Sequence, residues 1–289
     1  VLFRLYDTYG FPLDLTADIA RERGLTIDRV GFDKEMERQR KLSKAASQFV
    51  AATRVDLSDE LATEFVGYKA LKQAAAPILN LLANNKSSVG ELSEGEEGFI
   101  ILAKTPFYAQ GGGQIGDTGY LLNATSQFLV TQTFKEGAFI LHQGKLLKGH
   151  LKKGDKLKAE VDVEKRRAIT LNHSATHLLH AALREVLGGH VMQKGSLVEP
   201  ERLRFDFSHP DLLSTEQLKI IEDRVNQQIR ANLPVLTQIM SREEARQTGA
   251  LAMFGEKYAD KVRVLTMGDF SKELCGGTHV SRTGDIGVF

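Results

Sequence analysis

The chain has one cysteine in 289 residues, Cys275. No internal disulfide can form, so nothing in the sequence calls for an oxidising compartment, and a reduced cytoplasmic setting is expected. It lacks any apolar run near the roughly 20 residues that a membrane-spanning helix needs, which excludes a helical membrane anchor among these residues. It lacks an excess of either charge, with 38 Lys+Arg against 37 Asp+Glu, so bulk electrostatics neither demands nor excludes a polyanionic partner. Internal repeats and low-complexity segments are also missing. The opening "VLFRLYDTYGF" has neither an initiator Met nor the layout of a signal peptide, and the chain is expected to be a piece of a longer protein. What is present is a 42% hydrophobic chain, long enough for one large domain or two to three smaller ones, each with its own core.

Three stretches differ in pattern. Residues 1–50 read as helical: Thr16 is expected to cap a short helix that Gly24 closes, and Asp28 to cap a second one carrying "DKEMERQRKLSKAA". Residues 51–162 contain short apolar runs, "GFIILAK", "FLVTQT", "GAFILHQG" and "KLKAEVDV", punctuated by Gly, Asn and Asp, and predict a small β-barrel or sandwich. "ALKQAAAPILNLLA" stays unassigned there because Pro77 interrupts a helical reading. Residues 163–289 mix helix and strand, which makes the fold class α+β. "KRRAITLNHSATHLLHAALREVLGG" has helical spacing and ends at Gly188 and Gly189. "RLRFDFSH" alternates as a strand with one buried face. Ser214 with Gln217, and Ser241 with Glu244, are capping boxes, the first opening a helix with the stripe Leu218, Ile221, Val225 and Ile229. A basic stretch runs through Lys145, Lys148, Lys152, Lys153, Lys156, Lys158, Lys165, Arg166 and Arg167; it is a phosphate track or, more simply, a solvated face.

The chemistry is expected where two weak signals meet. In "HSATH", His173 and His177 stand at i and i+4, so both imidazoles leave one face of a helix. Ser174 occupies the place where the familiar metalloprotease helix needs a Glu, so that reading fails. In "CGGTH", Cys275 and His279 are again four apart, joined by Gly276 and Gly277, which let the backbone turn tightly. One thiolate and three imidazoles form a borderline-soft set that suits tetrahedral Zn²⁺ better than Mg²⁺ or Ca²⁺. Such a zinc would be a structural pin, a positioning device or a catalyst, and the spacing does not choose between these.

These motifs resemble the editing region of the alanyl-tRNA synthetases: "HSATH" and "CGGTH", with "MQKGSLVEPERLRFDFSH" between them, "FYAQGGGQIGDTG" upstream, and "YDTYGFPLDLT" matching the end of that family's tRNA-recognition region. The resemblance implies a helical end of the tRNA-recognition region, a β-barrel subdomain with a glycine-rich motif, and a zinc-binding editing core of two layers, helix on sheet. It implies hydrolysis of tRNA(Ala) wrongly charged with serine or glycine, with one Zn²⁺ on His173, His177, Cys275 and His279. The partner is then mischarged tRNA, with no DNA and no membrane, while ATP and Mg²⁺ serve only an aminoacylation domain outside this chain.

Thr176 matches the family position expected to sense the serine hydroxyl, and Gln193 the position that orients the aminoacyl group or water. Gln114 is a further catalytic candidate. Gly111, Gly112 and Gly113 are expected to present N–H groups to the substrate, and Lys165, Arg166 and Arg167 to contact its phosphates. His180 reads as structural or as basic lining. The competing readings are a non-catalytic, zinc-stabilised tRNA-binding module, and an editing hydrolase of the free-standing or threonyl type.

Overall fold

A computed structural model describes residues 2, 3, 5, 13–38, 62–251 and 260–289. The chain divides into two compact units, Val1–Asp56 and Leu57–Phe289. In the first, α1 (Leu13–Glu22) is followed by a helical stretch over 29–38. Asp28 opens that stretch as expected, its Oδ1 accepting from the Gly31 N–H at 2.8 Å. Thr16 is not a cap: α1 begins three residues before it, so Thr16 lies within the first turn. The remainder of the expected second helix, residues 39–46, and most of "YDTYGFPLDLT" lie outside the described residues.

The second unit begins with a closed barrel. Its strands are β1 (Lys72–Ala83), β2 (Glu97–Leu102), β3 (Gly119–Leu122), β4 (Gln127–Glu136), β5 (Phe139–Lys148) and β6 (Lys156–Val161). They are hydrogen-bonded in the order β6-β3-β4-β5-β2-β1, and β1 pairs back onto β6. Every one of these pairings is antiparallel. Alternation does the sorting: in β6, Leu157, Ala159 and Val161 turn inward to meet Leu81, Ile100, Leu121 and Phe128.

The unassigned "ALKQAAAPILNLLA" is β1, and Pro77 marks its function. Residues up to Pro77 pair with β6, and residues from Ile78 onward pair with β2. Pro77 needs no donor at the changeover, and its carbonyl accepts from Ala103 N–H at 3.1 Å. One bent strand thus closes the barrel, a role that the helical test of this segment could not reveal.

The rest of the unit is α2 (Val163–Leu187), the hairpin β7 (Gln193–Val198) and β8 (Leu203–Phe207), α3 (Thr215–Arg230), β9 (Val235–Ser241), α4 (Arg242–Gln247), β10 (Lys261–Met267) and β11 (Ser271–Leu274). The sheet order is β9-β10-β11. Helices α2 and α3 share one apolar core with it, through Leu178, Ala182, Leu183, Ile221, Val225, Ile229, Leu265 and Met267. Both expected capping boxes form, at Ser214 and Ser241, and Gly188 caps α2. Leu218 departs from its stripe and is 52% exposed, since the α3 surface facing the core begins at Ile221. The architecture is α+β with a six-stranded barrel.

Candidate metal centre

Helix α2 is positioned by its N-terminal turn. Asp162 accepts from Lys165 N–H at 3.1 Å as its cap, and one turn later Arg166 is buried and drawn into the barrel end. There it ion-pairs with Asp117 and donates to the carbonyls of Gly67 at 2.9 Å and Pro106 at 3.0 Å. The middle of the helix is buried on most sides, and that stretch holds His173, Ser174, Thr176, His177 and His180. Strand β11 ends at Leu274 and delivers Cys275, whose N–H bonds to Arg263 O at 3.0 Å.

The donor atoms of His173, His177, Cys275 and His279 all lie within 4.8 Å of one another, close enough for a single ion to reach all four. Cys275 Sγ is 3.5 Å from His173 Nε2 and 3.2 Å from His279 Nε2. Gly277 is required by the packing: a Cβ there would overlap the His173 ring.

Each imidazole is fixed through its other nitrogen. His173 Nδ1 meets Gln114 Oε1 at 2.8 Å, and His177 Nδ1 meets Glu273 Oε2 at 2.7 Å. His279 Nδ1 meets Ser174 Oγ at 3.3 Å. Gln114 Oε1 and the carboxylate can only accept. Ser174 donates its own proton to Thr170 O at 2.8 Å and is left as an acceptor. All three rings therefore carry their proton on Nδ1 and turn an Nε2 lone pair toward the sulfur. His177 Nε2 is buried with no hydrogen-bond partner among the described residues. Such an orphan is costly unless a cation satisfies it.

The electrostatics agree. Burial opposes a thiolate, yet the imidazoles of His173, His279 and His177 outweigh it and hold the Cys275 thiol well below its ordinary range. Burial also opposes an ionised Glu273, but His177 and His180 hold its carboxyl down to about 2. His177 lies between these two anions, which raise it against desolvation, so a positive charge, proton or metal ion, is favoured at its Nε2. Burial pushes His279 down to about 3, against the pull of Cys275. The three nitrogens and one sulfur, preset in this way, fit Zn²⁺.

The other expected site residues are placed differently. Gln114 is fully buried and faces no open space: besides accepting from His173 it donates to Thr278 Oγ1 at 3.0 Å and accepts from Thr278 N–H at 2.9 Å. Its amide is committed to the His173 ring and to Thr278. The glycine run is a tight turn in which Gly111 and Gln114 exchange both backbone hydrogen bonds at 3.0 Å, so the Gly111 N–H is already used. Gly113, at φ +82, seats the turn against Ser196. Gly112 is exposed. The Thr176 hydroxyl donates to Asn172 O at 2.8 Å, within its own helix.

Gln193 opens β7, and its Oε1 is buried without a partner among the described residues. Lys165 and Arg167 are exposed, whereas Arg166 leaves the basic track because its buried guanidinium is committed to Asp117. Two participants carried no signal that spacing reveals. Glu273 holds both His177 and His180, the latter at 2.8 Å. Asp117 lies in the loop before β3, 49 residues from its arginine.

Comparison with known proteins gives a consistent result. The family model described as tRNA synthetases class II (A) matches residues 1–165. The model described as threonyl and alanyl tRNA synthetase second additional domain matches residues 262–289. The whole chain aligns at 56% identity with the alanine-tRNA ligases of Nitrosococcus oceani and Coxiella burnetii, and at 55% with that of Pseudomonas fluorescens. In each case it covers 33% of the relative, so the chain spans about a third of the length of the curated relatives it matches.

Proposed function

The chain belongs to the class II (A) tRNA synthetases, and on that premise we propose that it is the proofreading part of an alanine-tRNA ligase, hydrolysing the ester of tRNA(Ala) wrongly charged with serine or glycine. The aminoacylation part, with ATP and Mg²⁺, belongs to the remaining length of the parent enzyme, which works in the cytoplasm. Within this chain, residues 1–50 end the tRNA-recognition region, 51–162 form the barrel subdomain, and 163–289 form the editing core. The chemical need is plain. A pocket for alanine rejects an analogue that merely adds a hydroxyl by only about a hundredfold and cannot exclude a smaller side chain. A second site must remove the errors.

The observation that carries this reading is the arrangement of His173, His177 and His279, each with Nδ1 fixed by a neighbour and Nε2 turned toward Cys275. These four residues would hold Zn²⁺, which when bound supplies a Lewis acid. The chain's own residues do the rest. Gln114, Glu273 and Ser174 fix the ligands' tautomers. Gln193 brings a buried, unpaired acceptor that a substrate hydroxyl or ammonium would satisfy. Thr176 sits one residue before His177, and its Oγ retains accepting capacity for a serine hydroxyl while donating to Asn172 O.

The deciding experiment couples metal analysis to deacylation of serine-, glycine- and alanine-charged tRNA(Ala). One zinc per chain and rapid release of serine and glycine, with alanine spared, are expected. The engaged Thr176 hydroxyl favours the rival, a zinc-pinned tRNA-binding module without catalysis. Tight tRNA binding with no zinc-dependent release of serine would establish that rival instead.

A further inference from the structure

The groups that fix the three imidazoles are themselves fixed. Gln114, which holds His173, is tied to Thr278 twice, its Nε2 donating to Thr278 Oγ1 at 3.0 Å and its Oε1 accepting from Thr278 N–H at 2.9 Å. Ser174, which meets His279, donates to Thr170 O at 2.8 Å. Glu273 holds His177 through Oε2, and its carboxylate has one further partner among the described residues. That partner is His180, whose Nδ1 lies 2.8 Å from Oε1.

Helical spacing brings this about. His180 stands three residues after His177, so both rings project from one face of α2 and a single carboxylate spans them. His180 is not one of the four clustered donors. Its ring centre is 5.2 Å from that of Phe205, and its Nε2 is buried without a hydrogen-bond partner among the described residues. It is therefore either a piece of core resting on Phe205 or the donor that sets Glu273.

The chemistry of the carboxylate favours the second. Glu273 is buried and can only accept, so its partners must bring the protons. The terminal torsion of a glutamate is broad, so one hydrogen bond leaves the carboxylate free to turn, whereas a second donor fixes its plane. A buried carboxylate oxygen without a donor is also costly. A divalent ion at the four donors would meet two negative charges, the Cys275 sulfur and the Glu273 carboxylate. The loaded centre is close to neutral only while that carboxylate stays in place.

We propose that His180 is a positioning residue for the metal centre: its Nδ1–H fixes the Glu273 carboxylate, which in turn holds His177 with Nε2 toward the ion. The proposal rests on the zinc reading of the four donors and not on the proofreading reaction.

Two substitutions separate the donor from the packing. His180→Phe keeps a ring against Phe205 and loses the N–H, whereas His180→Asn keeps an N–H and loses the ring. Zinc affinity is read by chelator competition on the whole chain. His180→Phe should weaken zinc about three- to tenfold, less than the loss of a direct partner of a ligand, and His180→Asn should stay within about twofold of wild type. In proton NMR of the zinc-loaded chain, the His177 Nδ1–H resonance, held downfield by the carboxylate, should move upfield in His180→Phe and keep its place in His180→Asn. In a Glu273→Gln background, His180→Phe should add less than about a twofold loss, because its route to the ion is already cut. That double variant and His180→Asn carry the test if the unpaired carboxylate keeps His180→Phe from folding.

Wild-type affinity in His180→Phe with weakened zinc in His180→Asn would make His180 a packing residue and overturn the proposal. Equal losses with and without the Glu273 carboxylate, or an unmoved His177 resonance in His180→Phe, would do the same. A wild type that takes up no zinc removes the metal centre and this role with it. Zinc binding that responds to His180 as expected, without release of serine from tRNA, removes the proofreading reading and leaves the role of His180. Normal release of serine alongside variants that all bind zinc like wild type does the reverse.

Discussion

The barrel and the α2 region both bury histidines, and they treat them in opposite ways. His142, inside the barrel, is closed on both sides: one ring nitrogen is 2.7 Å from Thr105 Oγ1 and the other 2.8 Å from Ile100 O. Around α2, His173, His177 and His279 are each held through Nδ1 and turn Nε2 into the shared cluster, where His173 and His279 meet Cys275 Sγ and His177 Nε2 is buried with no hydrogen-bond partner among the described residues. Burial alone therefore does not mark a functional histidine. A buried ring whose two nitrogens are bonded to barrel groups is packing, and a ring fixed through Nδ1 with Nε2 turned toward a sulfur and two further imidazoles is prepared for a cation.

The sharpest way to break this contrast is to remove the shared sulfur. Cys275→Ala should release the bound zinc and lower deacylation of serine-charged tRNA by more than about a hundredfold, measured by metal analysis and a single-turnover assay. Retention of zinc and full activity would show that Cys275 is not a ligand of the working metal site. The next largest effect should come from the closed type of polar interior. Arg166→Met leaves the buried Asp117 carboxylate unpaired and should cost about 3–5 kcal/mol in urea unfolding. A loss below about 1 kcal/mol would mean that the pair is solvated.

The pH dependence separates the two classes of histidine. Desolvation lowers His142 to about 4, below its ordinary value of 6.5, so the folded state favours the neutral ring. The stabilising contribution is fully present above about pH 6.5. It is lost as pH falls toward about 4, by up to about 3 kcal/mol, because the unfolded chain takes up the proton first. Replacing His142 with Gln should flatten that part of the stability profile, and an unchanged profile would count against a dry barrel interior. The smallest of these effects should belong to a residue that acts through a ligand. Glu273→Gln should weaken zinc about ten- to a hundredfold in a chelator competition while leaving the four donors in place. Unaltered affinity would mean that the carboxylate tunes nothing.

How much of this the sequence reveals depends on range. Capping at Ser214 and Ser241, the stop at Gly188 and the one-face placement of His173 and His177 are local, set by residues three or four apart, and local rules find them. Closure of the barrel is not local: it depends on Lys156 meeting Pro77, partners 79 positions apart whose pairing no periodicity records. The same holds for the site. The four donors could be collected by chemistry, because a thiolate and three imidazoles share one preference. Gln114, Glu273 and Asp117 could not, since a glutamine or an acid carries no sign of which distant ring or guanidinium it will hold. Arg166 was misplaced for the same reason: a basic run looks uniform until the fold turns one of its members inward.

Gln114 has one more consequence. It belongs to the glycine-rich turn of the barrel, yet its oxygen decides which nitrogen of His173 carries the proton. A chain cut at residue 163 would keep all four donors and lose the group that sets one of them. The barrel and the helix layer are therefore not interchangeable modules. Grafting the layer onto another scaffold would transfer the ligands without their tuning, and recombination between distant relatives should preserve the two parts together.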